Sequence, residues 1–426
     1  MFIFSAKSEK ERYLYSQLHL RLGINFIEDL FFSFSNATIN KSYHSIIITN
    51  NLDEEFIEEE KKTIKIIKSN ILNLISNNLM INNQKSCENK VQDNTSAKID
   101  EEILLLKNKI VQHLEKKNFS FEYKDFSENP IVCLSHDVDS LKGKSVLRAM
   151  YWIFFGILNW EIKKNLLKIY KIFSQKIDYL DSLEFTIELE KQYGFSSTYY
   201  FLSLPFFLSH EGRRYRVTKK KYREKIKKII KSENEIGLHT SRLGFKKENL
   251  LRKELKRLNK IVFPKKILGV RNHYLSGKFS EILERYEKVK LSYDSSLGWS
   301  DRLGYRAGTS SPFRAFDEKI NRACSIVELP LIIMDTAIDK NSAEGIFQEC
   351  KPYFKKAIEQ NSVVSLLWHT DRIFNPDYPH HTNAYPLILN FLKENNFYSM
   401  TAIECVDRFK KYESEMKKNL KNLEDV

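Results

Sequence analysis

From Pro130 onward, short apolar segments alternate with stretches of helical spacing, and this rhythm constrains the fold more than any other feature of the chain. The candidate strands lie at 131–134, 197–202, 236–239, 267–271, 289–293, 326–329, 363–368 and 397–402. Helix-like runs separate most of them, for example 246–260 and 343–360. Sustained β–α alternation implies a parallel sheet, either closed as a barrel or open and doubly wound. Several of these strands end in polar residues able to do chemistry, which favours the rim of a barrel.

The preceding part reads differently. Residues 1–120 form a separate α/β module with no recognisable chemistry, and 121–426 form the barrel. Within the module, Ser45–Thr49 reads as a strand, Asp53 to Asn77 as an amphipathic helix and Ile103 to Lys116 as a second helix. The Asn/Gln/Ser/Lys-rich stretch 77–97 reads as a loose loop.

The first barrel strand carries the densest chemistry. The apolar run Ile131-Val132-Cys133-Leu134 leads into Ser135-His136-Asp137-Val138-Asp139. Strand side chains alternate, so Ser135, Asp137 and Asp139 share one side, and His136 and Val138 the other. Two carboxylates at one strand end can divide the work, one binding a cation and the other removing a proton. Taken alone, the pair fits the cap of a following helix equally well. Other strand ends supply His239, then Arg271 and His273 on one side of a strand, then His369. Asp with imidazole suits Zn²⁺ and similar divalent metals. The chain has no HExxH, Walker A or GxSxG motif, which weighs against a zincin, a P-loop enzyme and an α/β-hydrolase.

Composition narrows the partners. The formal charge of +14 is spread over helix-like segments such as 219–228, without zinc-finger spacing or an aromatic RNA-binding motif. Solvated helix faces account for such runs, so no nucleic-acid partner is expected; an anionic glycan, nucleotide-linked sugar or membrane surface stays open. The five cysteines form no CxxC pair, which favours a reduced compartment. The first residues lack the apolar core of a signal peptide, so a cytoplasmic location is expected, with a membrane-peripheral one as the alternative. The longest apolar stretch, Met150–Leu158, is too short to span a bilayer. It reads first as a buried helix or a lid over the site, and second as a peripheral membrane contact followed by Lys163 and Lys164.

From Pro130 to the C-terminal region the chain resembles the polysaccharide deacetylase family, in the branch whose first motif has a His-Asp-Val-Asp form. Ser135–Asp139 is similar to that motif, His239-Thr240-Ser241 to the start of the second, Gly269–Leu275 to the Arg-bearing third and Leu366-Leu367-Trp368-His369 to the last. Segments 293–298, 304–309 and 328–335 also resemble this branch. The resemblance implies a distorted (β/α) barrel that removes acetyl groups from glycans. It implies Asp137 as general base, His369 as general acid and Arg271 as the residue orienting the base. It implies Asp139 and His239 as ligands of a divalent metal, most simply Zn²⁺. The family's second metal histidine falls at position 243, which is Leu243 here. His273 is the candidate replacement and His136 a weaker one. The resulting expectation is a metal-dependent hydrolase acting on an amide or ester of an acetylated sugar or glycan precursor, in surface polysaccharide metabolism. The alternative is a catalytically degenerate relative that binds glycans or acts as a scaffold.

Overall fold

The fold is that of a computed structural model, which describes residues 2–4, 8–27, 30–34, 44–49, 56–59, 62–79, 96–116, 118, 121–140, 146–174, 182–204, 215–375, 377–418 and 420–422. The first sheet holds β1 (Phe2–Phe4), β3 (Leu30–Phe34), β4 (His44–Thr49), β5 (Phe56–Glu59) and β6 (Lys62–Lys68); β2 (Ile24–Ile27) pairs separately with β7 (Phe121–Tyr123). Its other edge is β19 (Leu420–Asn422), parallel to β1, so the end of the chain returns to its beginning. The helices are α1 (Glu9–Leu22), α2 (Ile71–Leu79) and α3 (Lys98–Lys116). The strand at 44–49 and the helix ending at Lys116 match the sequence reading. The helix expected over Asp53 to Asn77 does not form as such. Strands occupy 56–59 and 62–68, and a helix begins only at Ile71. The β-branched run Thr63-Ile64-Lys65-Ile66-Ile67 suits a strand, and parallel pairing with β4 overrides the helical spacing of the charges. Most of the expected loop, 80–95, lies outside the described residues.

The main sheet contains β8 (Ile131–Val138), β9 (Ser197–Leu202), β10 (Glu235–Thr240), β11 (Gly269–Asn272), β12 (Tyr293–Asp294), β15 (Val327–Glu328), β16 (Ile333–Met334) and β17 (Val363–Leu367). They run in the order β15-β12-β11-β10-β9-β8-β17-β16, and every pairing is parallel. β18 (Tyr398–Ser399) adds to the start of β8, and β13 (Phe316–Asp317) and β14 (Arg322–Ala323) form a small antiparallel pair. Chain connectivity forces the sheet to curl. Its two edge strands, β15 and β16, are joined only by residues 329–332, which reach at most ~17 Å. Eight strands laid flat would separate those edges by ~33 Å. The result is the distorted (β/α) barrel expected from the alternation.

Parity along the strands then sorts the side chains. Val132 and Leu134 point outward and pack with Ile346, Phe354 and Leu389 of the helices Ala343–Gln360 and His381–Glu394. Ile131 and Cys133 point inward and meet Cys405, Val406 and Phe409 of the helix Ala402–Lys417, which closes the lower end. A capping box between Thr401 and Glu404 fixes where that helix starts. Above this plug, Tyr200 and Tyr293 join through their hydroxyls at 3.1 Å, and Tyr293 donates to Glu235 at 2.7 Å. Glycine is required opposite these rings, because a Cβ on Gly269 would overlap Tyr293 and one on Gly237 would overlap Tyr200. The N-terminal helices lie against the barrel: Tyr13 of α1 donates to Arg314 O at 2.8 Å, and Arg21 pairs with Asp100 of α3 at 3.5 Å. On the lysine-rich helix Lys220–Lys231, Tyr222, Ile226 and Ile229 are the buried face.

Gly269→Ala is expected to displace the Tyr293 ring and to cost about 1–3 kcal/mol through overpacking. Urea unfolding should show a lower midpoint at unchanged slope; an unaltered midpoint would mean that the ring does not pack on Gly269.

Candidate active site

The inward parity that places Ile131 and Cys133 below continues to Ser135 and Asp137 above them. It also directs His239 from β10 and Arg271 from β11 into the same mouth. His239 Nε2 lies 3.2 Å from Asp139 Oδ1, and His273 Nε2 lies 3.3 Å from Asp139 Oδ2. One donor atom from each of these three residues falls within 4.8 Å of the others. The chain leaves His273 through a strained turn, since Tyr274 and Leu275 both have positive φ, 62° and 48°. Ser276 donates to His273 O at 2.6 Å and Asn272 to Ser276 O at 2.7 Å, holding the turn closed. Tyr274 stacks on the His273 ring at 3.8 Å.

Asp137 sits beside this cluster, 3.7 Å from His239 Nε2, and is tied to Arg271 Nη1 at 3.2 Å. Arg271 is fully inside the barrel. It donates to Ser295 O and Ser295 Oγ, each at 2.9 Å, and to Ser135 Oγ at 2.8 Å, with its guanidinium 4.4 Å above the Tyr200 ring. Burial opposes its charge, but Asp137 outweighs that and raises the guanidinium further. On β17's exit, His369 Nδ1 lies 2.6 Å from Asp335 Oδ1, while the His369 N–H donates to Asp335 Oδ2 at 2.7 Å. Burial works against the His369 cation, yet Asp335, with the charges of Asp137 and Asp139, raises its pKa from 6.5 to about 9.

All six residues selected from the sequence therefore lie at the carboxyl ends of the strands, and Asp139, His239 and His273 meet. His136 does not join them. It faces outward, as alternation requires, between Trp368 O and Glu190 Oε1, each 2.6 Å from a ring nitrogen. Leu243 lies in the turn after β10 and brings no donor atom. The sequence reading gave Asp335 no role, although it follows the apolar run Leu331-Ile332-Ile333-Met334 as Asp137 follows its own. That strand-then-acid pattern was the available signal.

The donor set fits a divalent cation. His239 Nδ1–H is committed to Arg271 O at 3.0 Å, so Nε2 faces the carboxylates either as a lone pair or with a second proton. Either way positive charge has to sit between His239 and Asp139. Burial would raise the Asp139 carboxyl, but the two imidazoles outweigh it and hold the group well below the usual carboxylate range. One anionic oxygen and two imidazole nitrogens are a borderline donor set of the kind that holds Zn²⁺ with positions left open.

No protein-family model matches the chain, and no curated protein does. Among solved structures it is similar to a putative polysaccharide deacetylase from Mycobacterium smegmatis, at 13% identity over 69% of this chain and 96% of that one, with a TM-score of 0.41. A probable polysaccharide deacetylase from Pseudomonas aeruginosa PAO1 gives 12% identity over 66% and 91%, with a TM-score of 0.44. Puue allantoinase gives 9% identity over 66% and 90%, with a TM-score of 0.43. Likeness at this level says nothing of chemistry, and the fold is established by its own strand order.

The protein is expected to bind about one equivalent of Zn²⁺ or a similar divalent ion. His273→Ala and Asp139→Ala should each abolish stoichiometric binding, measured by elemental analysis after dialysis. Leu243→Ala should leave it intact. Full retention in His273→Ala would remove His273 from the ligand set.

Proposed function

We propose that the chain is a metal-dependent hydrolase that removes an acetyl or related acyl group from a sugar or glycan precursor. The observation that carries this reading is the single mouth in which Asp139, His239 and His273 converge beside two separately braced groups, Asp137 on Arg271 and His369 on Asp335. The acetylated-sugar part rests on the resemblance of its ordered motifs to the polysaccharide deacetylase family, as does a role in surface polysaccharide metabolism.

Asp139, His239 and His273 would hold the metal. A bound divalent ion supplies Lewis acidity, easing loss of a proton from water and stabilising negative charge on an acyl oxygen. Asp137 accepts the proton of the attacking water, and Arg271 holds its carboxylate in place. The water oxygen bonds to the acyl carbon, and the bond from that carbon to nitrogen or oxygen breaks. His369 delivers its proton to the departing atom, so the products are a carboxylate and a free amine or hydroxyl. Asp335 orients the ring and keeps it protonated at neutral pH. Leu243 is what a degenerate binding protein would need, but His273 supports the hydrolase by bringing a donor from the next strand.

Acetate release from a panel of N- and O-acetylated sugars tests the reaction. With the responsive substrate, Asp137→Asn should lower kcat by about 10²–10⁴-fold; unchanged turnover would take Asp137 out of the base role.

The pH profile tests His369 separately. A raised imidazole pKa keeps the acid form present through neutral pH and loses it as pH rises through about 9. Activity should therefore fall on an alkaline limb near that value. Asp335→Asn removes the main raising influence, so the limb should move down toward the ordinary imidazole range. A limb that stays in place would mean that another group titrates.

A further inference from the structure

The connection from β8 back to the barrel contains α4 (Val146–Leu158) and α5 (Ile162–Ser174), which pack against each other as a hairpin. Gly156 makes their close approach possible, because a Cβ there would overlap Asn165, whose amide donates to Trp152 O at 3.1 Å. Glu161 N–H donates to Gly156 O at 2.9 Å and turns the chain, with Trp160 at the tip in a left-handed conformation, φ 57°. The sequence reading of 150–158 as a buried helix does not hold. Met150, Ile157 and Leu158 on α4 and Leu167 and Tyr170 on α5 are each more than half exposed, and Trp160 is 94% exposed.

Apolar surface of this extent, spaced 3, 4, 7 and 8 residues apart on α4, is the inward stripe of an ordinary amphipathic helix turned outward. The sequence of the hairpin carries charge mostly of one sign. Residues 146–174 contain four lysines and one arginine against the single Glu161, which Lys164 neutralises at 3.0 Å. Each helix is only ~20 Å long, and among the described residues no helix is long and apolar enough to cross a membrane. An apolar face, an exposed tryptophan at the tip and flanking lysines are the combination that lies in the headgroup region of an anionic bilayer.

We propose that this hairpin seats the chain peripherally on an anionic lipid surface. Val146 follows Asp139 by seven residues, at most ~25 Å of chain, so docking keeps the mouth of the barrel near the membrane. Resting on the hydrolase reading, the substrate class that follows is an acylated sugar carried on a lipid anchor.

The full-length protein should co-sediment with vesicles containing phosphatidylglycerol and not with pure phosphatidylcholine, and binding should weaken as salt rises. Brominated lipid should quench fluorescence in the native protein, and that quenching should be lost in Trp160→Phe. The double change Met150→Ser with Ile157→Ser should weaken binding by at least about tenfold. Lys163→Gln should weaken it by about fivefold. Unchanged circular dichroism in both variants keeps folding out of the comparison. Absence of vesicle binding, or binding indifferent to these changes, overturns the proposal. So does a concentration-dependent dimer that Ile157→Ser dissociates in a protein that ignores vesicles, because the face then meets a second copy. Vesicle binding without acetate release upholds the docking and refutes the hydrolase reading instead.

Discussion

The buried pair of Arg271 and Asp137 is the interaction on which the mouth of the barrel depends. A guanidinium taken fully out of water is costly unless its donors are met and its charge is paired. Here four donated bonds reach two elements: Ser135 and Asp137 on β8, and the Ser295 carbonyl and hydroxyl just beyond β12. The flat face rests on Tyr200 of β9. Arg271 therefore ties its own strand to one neighbour in the sheet and, across the interior, to two strands it does not pair with. That cross-tie requires a curled sheet. It also aims Asp137 from below, leaving its other oxygen toward His239.

The two groups proposed to handle protons are braced in opposite electrostatic senses. Asp137 is held by a cation and His369 by an anion. They come from adjacent strands of the same mouth: β8, and the turn after β17. The backbone holds these elements in step, since Trp368 N–H donates to Ser135 O and His369 N–H to Asp335. A shift of β17 along β8 would separate His369 from Asp137 without touching either side chain.

Most of this was legible in the sequence because a parallel barrel translates strand parity into facing. Once residues 131–134 read as a strand, alternation put Asp137 and Asp139 on the side opposite His136, and the structure places His136 outside, against Glu190. The same logic paired Arg271 with His273. Asp335 escaped because β16 has only two residues after Pro330, too short for alternation to show. Its role depends on parallel pairing with β17, far along the chain. The strands at 56–68 escaped for a related reason: helix and strand both fit the local pattern, and the partner strand decides. An apolar stripe likewise announces a helix with one greasy face but not what covers it, which is why 150–158 reads as a buried helix or a lid over the site.

A last constraint lies one layer beneath the pair. Asp294 and Glu328, on neighbouring strands β12 and β15, are both buried, and burial pushes both carboxyls up. Ser296 donates to one oxygen of Asp294 and the Leu297 N–H to one of Glu328. The remaining oxygens, Asp294 Oδ2 and Glu328 Oε2, have no other partner among the described residues, which suits a proton shared between them. Two carboxylates ionised here would compete with Asp137 for the charge of Arg271. With a proton held between the two acids, less negative charge remains beneath the guanidinium to draw it away from the mouth. The protonation of a pair that never meets the site thus helps keep Arg271 directed toward Asp137.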